Sequence, residues 1–170
     1  MSQFYNCIAE KYDYIFPLSP AHQTFFADEL QGHTVLDVGA ATGNLTAYLS
    51  SQGYEVTAID LSERLIAKAA EKGITVQQRD MLTIDELSTF DNIVCIGNTL
   101  PHLDSKASVQ LFLQKAYGQL TQGGKLVLQL VNFEKYFAQQ QDDYLGNLPL
   151  IVNDKVKFER FYYLNEEGKI

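Results

Sequence analysis

The stretch His33-Thr34-Val35-Leu36-Asp37-Val38-Gly39-Ala40-Ala41-Thr42-Gly43 restricts this chain more than any other. A short apolar run ends in a glycine-punctuated turn, and an amphipathic stretch follows at once. A strand therefore delivers its carboxyl end into a tight loop, and the N-terminus of a helix faces that loop. In open α/β sheets ligands bind at this point. The rest of the chain repeats the alternation. Thr34–Val38 is predicted as the first strand, and Asn44–Gln52 as a helix closed by Gly53. Tyr54–Ile59 is the second strand, followed by a helix that Ser62 caps and that runs to Lys72 before Gly73. Ile74–Gln78, Asp91–Ile96 and Lys125–Val131 supply three more strands, with a helix over Ser105–Leu120 and a turn at Gly123-Gly124. Strands separated by helical crossovers imply an α/β fold with a mostly parallel sheet and helices on both faces.

Two segments fall outside this alternation. Phe4–Tyr14 and Ala21–Leu30 show helical spacing of apolar residues, separated by Pro17 and Pro20. After the fifth strand, Phe133–Gln141 reads as a helix. Leu150–Val152 and Lys155–Leu164 then read as a short antiparallel segment around Asn153-Asp154, with a further turn at Asn165-Glu166-Glu167-Gly168. A length of 170 residues suits one domain with a substantial core, and 46% apolar residues argue against disorder. No apolar run approaches the roughly 20 residues of a membrane span. The start of the chain lacks a basic region followed by an apolar core, so a cytoplasmic location and no membrane partner are expected. Thirteen Lys and Arg against 21 Asp and Glu, a net charge of −8, do not suggest a phosphate-gripping face, so nucleic acid is not an expected partner. Cys7 and Cys95 lie far apart without metal-ligand spacing; no metal site is expected, and Cys95 reads as a buried small hydrophobe.

A dinucleotide loop needs Gly-x-Gly-x-x-Gly so that a pyrophosphate can approach. Counted from Gly39, the later glycine positions hold Ala41 and Asn44, which weakens a nicotinamide-dependent oxidoreductase reading. Asp60 ends the second strand, roughly 20 residues beyond Asp37, where an acid can accept from both ribose hydroxyls. Its alternative is to cap the helix near Ser62. Asp37 lies near the carboxyl end of the first strand, where an unpaired buried charge is too costly. It is expected to hold the glycine loop through backbone N–H groups, or to act purely structurally.

Asp37-Val38-Gly39-Ala40-Ala41-Thr42-Gly43, followed by Asp60-Leu61 and Asp80-Met81 at the ends of successive strands, resembles the motifs of class I S-adenosylmethionine-dependent methyltransferases. The one departure from Asp-x-Gly-x-Gly-x-Gly is Ala41 in place of the middle glycine. The resemblance covers about residues 4–135. It implies a Rossmann-like core that binds S-adenosylmethionine through Gly39, Ala40, Ala41, Gly43, Asp60, Leu61, Asp80, Met81 and Gly97. Leu61 would pack on the adenine, Asp80 would accept from its amino group and Met81 would contact the ring; otherwise Asp80 is a solvated loop acid beside a core methionine. Asp37 would lie near the amino end of the cofactor. A Tyr-Asp segment forms a lid in this family, which makes Tyr12 the preferred lid residue among Tyr5, Tyr12, Asp13 and Tyr14; the other reading is core contacts.

The loop Ile96-Gly97-Asn98-Thr99-Leu100-Pro101-His102-Leu103 lacks the Asn-Pro-Pro-Tyr of DNA and protein-glutamine methylases. It looks like the corresponding loop of small-molecule enzymes that resemble the glycine and sarcosine N-methyltransferases. Asn98 would orient the acceptor or tie down the loop. His102 would take a proton from an amine or hydroxyl, or be a loop histidine satisfied by backbone. His22 and His33 read as ordinary surface or helix-end residues. The expected division is an N-terminal helical lid over residues 1–32, a cofactor-binding core over 33–135 and a truncated, partial acceptor-side lid over 136–170. The family's sheet order is 3-2-1-4-5-7-6, and a chain without the last two of these strands would have its fifth strand at an edge. Leu150–Leu164 is then expected to cover that edge, or two chains to pair there as a homodimer. A non-catalytic or incomplete S-adenosylmethionine-binding module is the alternative function.

Overall fold

The computed structural model describes residues 2–138 and 140–166. Before the first strand lie helix α1 (Ser2–Ile8), a 3-10 turn (Ala9–Lys11), helix α2 (Tyr12–Ile15) and helix α3 (Pro20–Glu29). The single helix expected over Phe4–Tyr14 is thus broken into short pieces. α3 starts where the sequence stops it from starting earlier: the Ser19 hydroxyl accepts from the His22 N–H at 3.2 Å, and Pro20 occupies a position that has no helical donor to lose.

β1 (Thr34–Val38), α4 (Asn44–Ser51), β2 (Glu55–Asp60), α5 (Glu63–Glu71), β3 (Gln77–Gln78), β4 (Phe90–Cys95), α6 (Lys106–Gln119) and β5 (Leu120–Leu128) follow in order, with 3-10 turns at Met81–Glu86 and Leu100–His102. The strands form one parallel sheet in the order β3-β2-β1-β4-β5, as the alternation predicts. Successive residues of a strand point to opposite faces, and the two faces of β1 bury different partners. Leu36 and Val38 join Ile59, Ile93, Cys95, Ile84 and the α6 residues Phe112 and Ala116. Val35 joins Val94, Phe26 of α3 and Leu30 just after it, and the α4 residues Leu45 and Leu49. Both faces are therefore covered, which explains why the central strands are almost uniformly apolar. Truncating Phe112 to Ala would cost roughly 3–5 kcal/mol, because its site is fully enclosed.

Three strand boundaries differ from expectation by more than one residue. β3 contains only Gln77 and Gln78, because Ile74 and Val76 turn inward to pack with Ala40, Ala58 and Ala69. β5 begins earlier, at Leu120, and the register jumps from Phe90 opposite Leu120 to Asn92 opposite Lys125. Gly123-Gly124 is therefore an irregularity within the strand. A Cβ at Gly124 would lie 2.9 Å from the Asp91 carbonyl oxygen, so glycine is required for this approach. β5 ends at Leu128, short of Val131.

At the amino ends of these strands Asp91 ties three segments together. Its Oδ2 accepts from the His33 N–H at 2.7 Å, the Thr34 N–H at 3.0 Å and the Thr34 hydroxyl at 3.2 Å; its Oδ1 accepts from the Thr121 hydroxyl at 2.9 Å. Donors from His33, Thr34 and Thr121 hold this carboxyl down at about 2.

The chain divides into two compact units, one comprising the residues to Asp13 with Pro17–Leu130, the other Tyr14–Phe16 with the residues from Val131. The second unit contains α7 (Glu134–Phe137), β6 (Tyr144–Asn147), β7 (Ile151–Val152), β8 (Lys157–Phe158) and β9 (Phe161–Tyr163). α7 is much shorter than Phe133–Gln141, and β6 was not expected. The turn at Asn153 is as expected: its Oδ1 accepts from the Lys155 and Val156 N–H groups, each at 3.0 Å, and joins β7 to β8. The single strand expected over Lys155–Leu164 is interrupted at Arg160, whose guanidinium lies over the rings of Phe16 and Phe158. β9 then pairs with β6. Leu150–Leu164 therefore pairs within itself and with β6 rather than extending the edge at β5. Part of the turn expected at Asn165–Gly168 lies outside the described residues. Among the described residues, no helix is long and apolar enough to cross a membrane.

Candidate functional site

The carboxyl ends of β1, β2 and β4 converge, and the loops that leave them carry most of the residues singled out above. After β1 the chain turns through Gly39 (φ +77°), Ala41 (φ +50°) and Gly43 (φ +78°). The N–H groups of Gly39 and Ala40 both donate to the Ile59 carbonyl oxygen, at 2.9 and 3.0 Å, which pins the loop to β2. A Cβ on Gly39 would collide with the Thr99 side chain, so the loop after β1 touches the loop after β4 at a point only glycine allows. Ala41 keeps a left-handed conformation that costs an L-residue roughly 1–2 kcal/mol. Its N–H donates to Asp60 Oδ2 at 2.8 Å.

Asp60 ends β2. Its other oxygen accepts from the Ser62 N–H at 2.8 Å. The cap of α5 is Ser62 itself, whose hydroxyl accepts from Leu65 N–H, so the capping alternative for Asp60 does not hold. Burial raises the Asp60 pKa, against the pull of the backbone donors at Ser62 and Ala41. A carboxylate has about four lone-pair positions, so two backbone donors leave acceptor capacity. Leu61 beside it is 51% exposed, an open apolar surface at the rim of the site.

Asp37 is 2% exposed and differs from expectation in its partner. The loop glycine donates to Ile59 instead, and Asp37 Oδ2 accepts from the Thr46 hydroxyl of α4 at 2.7 Å. It therefore anchors the first turn of α4, not the glycine loop. Burial, and then the nearby charge of Asp60, push Asp37 up to about 6.

Asp80 is exposed and caps the 3-10 turn that follows it, accepting from the Leu82 N–H at 2.8 Å. Met81 is buried in the main core with Ile84 and Phe90. After β4, Gly97 and Asn98 are both left-handed, at φ +69° and +66°, and the Gly97 N–H donates to Gln129 Oε1 at 2.8 Å. The 3-10 turn then brings His102 to α1: the Tyr5 hydroxyl lies 2.7 Å from His102 Nε2, with the rings edge to face at 5.5 Å between centroids. Burial lowers the His102 pKa, which favours the neutral imidazole.

The N-terminal aromatics separate. Tyr5 and Tyr12 pack on Ala9, Ala41 and Leu65, and burial pushes the Tyr12 hydroxyl pKa up. Tyr14 is exposed and belongs to the second unit. Two partnerships were not legible in the sequence. Tyr5 and His102 lie 97 residues apart, and only the fold brings them together. Asp13 accepts from the Thr42 hydroxyl and, at 3.0 Å, from Asn44 Nδ2 through its Oδ1, while its Oδ2 pairs with Lys72 Nζ at 2.8 Å. The position of Asp13 beside Tyr12 was the available signal. His22 and His33 lie outside this site. No group of three or more His, Cys, Asp or Glu among the described residues could hold a metal ion.

The sequence profile of the family described as "Methyltransferase domain" matches residues 35–124, just over half of the chain. A glycine/sarcosine/dimethylglycine N-methyltransferase of Actinopolyspora halophila is 26% identical over 79% of this chain and 26% of its own length. An uncharacterized methyltransferase of Alkaliphilus oremlandii is 33% identical over 84% of this chain and 61% of its own. A Bacteroides fragilis methyltransferase solved with S-adenosylhomocysteine superposes with a TM-score of 0.58 at 25% identity, over 67% of this chain and 48% of the other. The chain thus spans less than two thirds of each of these proteins.

Proposed function

Since the chain belongs to the methyltransferase domain family, we propose that it moves a methyl group from S-adenosylmethionine to a small-molecule amine, carboxylate or hydroxyl. The observation that carries this reading is Asp60. A half-buried carboxylate stands at the carboxyl end of β2, held by the Ala41 and Ser62 N–H groups, with a left-handed glycine loop on one side and the exposed Leu61 on the other. That donor and acceptor set fits the cofactor: ribose hydroxyls need an anionic acceptor, a purine needs an apolar platform, and an amino-acid carboxylate favours a helix N-terminus such as that of α4. The Bacteroides fragilis structure, with its S-adenosylhomocysteine, supports the same choice.

When bound, S-adenosylmethionine supplies a methyl group already activated on a sulfonium. The chain's own residues then bind, orient and exclude water, since proximity accounts for most of such a displacement. Asp60 accepts from the ribose hydroxyls, Leu61 covers the adenine, and Gly39, Ala40, Ala41 and Gly43 shape the cradle. Asp80 accepts from the adenine amino group, and Met81 supports the ring side from within the core. Gly97 borders the cofactor, while Asn98 and His102 meet the acceptor. A neutral His102, oriented by Tyr5, takes a proton from acceptors that arrive protonated. Tyr12 and the N-terminal helices of the first unit close over the cofactor, and two copies pair through the edge of β5.

Calorimetry with S-adenosylmethionine, S-adenosylhomocysteine and NAD tests the cofactor reading, and a labelled-methyl screen over amines, carboxylates and phenols tests the transfer. Binding of NAD with no affinity for S-adenosylhomocysteine would overturn it.

A further inference from the structure

Ala41 poses a problem that its own contacts do not resolve. Its φ of +50° is a conformation glycine adopts freely and alanine does not. Such strain persists only where the surroundings over-determine the backbone. On the N-terminal side of this bend the constraint is Asp60, through the Ala41 N–H. On the C-terminal side it is Asp13. Its Oδ1 receives both the Thr42 hydroxyl and the Asn44 amide, one residue on either side of Gly43, and Lys72 Nζ closes a ring by bridging Asp13 Oδ2 and Asn44 Oδ1, each at 2.8 Å. Thr42 is 1% exposed, so in the folded chain its hydroxyl is satisfied by Asp13 and not by solvent. Gly43 is confined as well, since a Cβ there would strike Ile74. Tyr12, the neighbour of Asp13, packs on the cluster that includes Ala41.

We infer that Asp13 is a positioning residue for the cofactor loop: its network with Thr42, Asn44 and Lys72 imposes the conformation that the alanine at position 41 would otherwise resist. The inference rests on the reading of residues 39–43 as the cofactor loop. It makes the N-terminal segment a part of the binding site even without direct contact with the ligand. It also makes a specific demand. The need for Asp13 should shrink when position 41 becomes glycine.

The test is a double-mutant cycle on the full chain with two readouts. The first is amide hydrogen exchange over residues 39–46 without ligand; the second is S-adenosylhomocysteine affinity by calorimetry. Asp13→Ala should speed exchange in the loop and weaken binding about tenfold, equivalent to about 1.4 kcal/mol. Asp13→Glu should retain part of the affinity. In the Ala41→Gly background, measured against Ala41→Gly itself, Asp13→Ala should cost no more than half of the logarithmic loss it causes in the parent. Thr42→Val, a gentler cut of the same network, gives the same pattern on a smaller scale and serves if Asp13→Ala does not fold. Unchanged exchange in both variants, or an undiminished loss in the Ala41→Gly background, would overturn the inference. If the unmutated chain takes up no S-adenosylhomocysteine, the proposed function fails, and the exchange arms still decide whether Asp13 compensates for Ala41.

Discussion

At the amino ends of β1 and β4, Asp91 receives two backbone N–H groups and two hydroxyls and is held down at about 2. At the carboxyl ends of β1 and β2, burial dominates instead: Asp37 is pushed up to about 6, and Asp60 is raised as well. The same sheet therefore stabilises an ionised carboxylate at one end and disfavours two at the other. The first end knits His33, Thr34 and Thr121 together. The second keeps negative charge close-set and incompletely compensated where a cationic, hydroxyl-rich ligand would be received. Strain is distributed in the same way, with left-handed Ala41 and Asn98 both at the carboxyl end.

The largest effect should come from Gly39→Val. The side chain would strike Thr99 from a left-handed backbone, so S-adenosylhomocysteine affinity should fall more than about a hundredfold in calorimetry. A folded variant that binds normally would show that the two loops need not touch. At the opposite end, Asp91→Ala should lower the melting temperature by several degrees at neutral pH without affecting ligand affinity in the protein that remains folded. The sign follows from the depressed pKa. The contribution of Asp91 is present above its unfolded value of 3.8 and is lost as pH falls towards about 2, so the gap between variant and parent should close in acid.

Asp37→Asn should act the other way. The folded pKa of about 6 lies above the unfolded 3.8, so between these values the folded state holds an extra proton, and above pH 6 the buried charge costs stability. The variant should be more stable than its parent at pH 8, by on the order of 3 kcal/mol, and the gain should vanish near pH 4. Denaturant titrations at both pH values read this. A variant that is destabilised at pH 8 would mean that the Thr46 contact outweighs burial. The smallest effect expected is that of His102→Ala on cofactor affinity, less than about twofold (under 0.5 kcal/mol), while methyl transfer slows. Unaltered turnover would make His102 structural.

How far the sequence could be read differs along the chain for physical reasons. The parallel core was legible because β-branched runs, glycine stops and the Ser62 cap all agree. β3 was overestimated because Ile74 and Val76 are apolar for packing under Gly43 and α5, not for strand pairing. The second unit was hard to read because its strands are two to four residues long, and their pairing depends on β6 meeting β9 across the whole segment. In the candidate site, single residues at strand ends stood out, whereas partners were invisible. Asp37 could be recognised as a buried acid, but its choice of Thr46 over the glycine loop depends on where α4 begins. Asp13 with Thr42 and Tyr5 with His102 are long-range pairs that no local pattern announces.

The central claim is that the carboxyl end of this sheet receives S-adenosylmethionine through Asp60. Calorimetry with S-adenosylhomocysteine on the parent and on Asp60→Ala tests it most directly, with circular dichroism to establish that the variant is folded. Removing acceptors for two charge-assisted hydrogen bonds, each roughly 1.5–3 kcal/mol, should weaken binding at least about tenfold. Equal affinity in a folded Asp60→Ala protein would contradict the account.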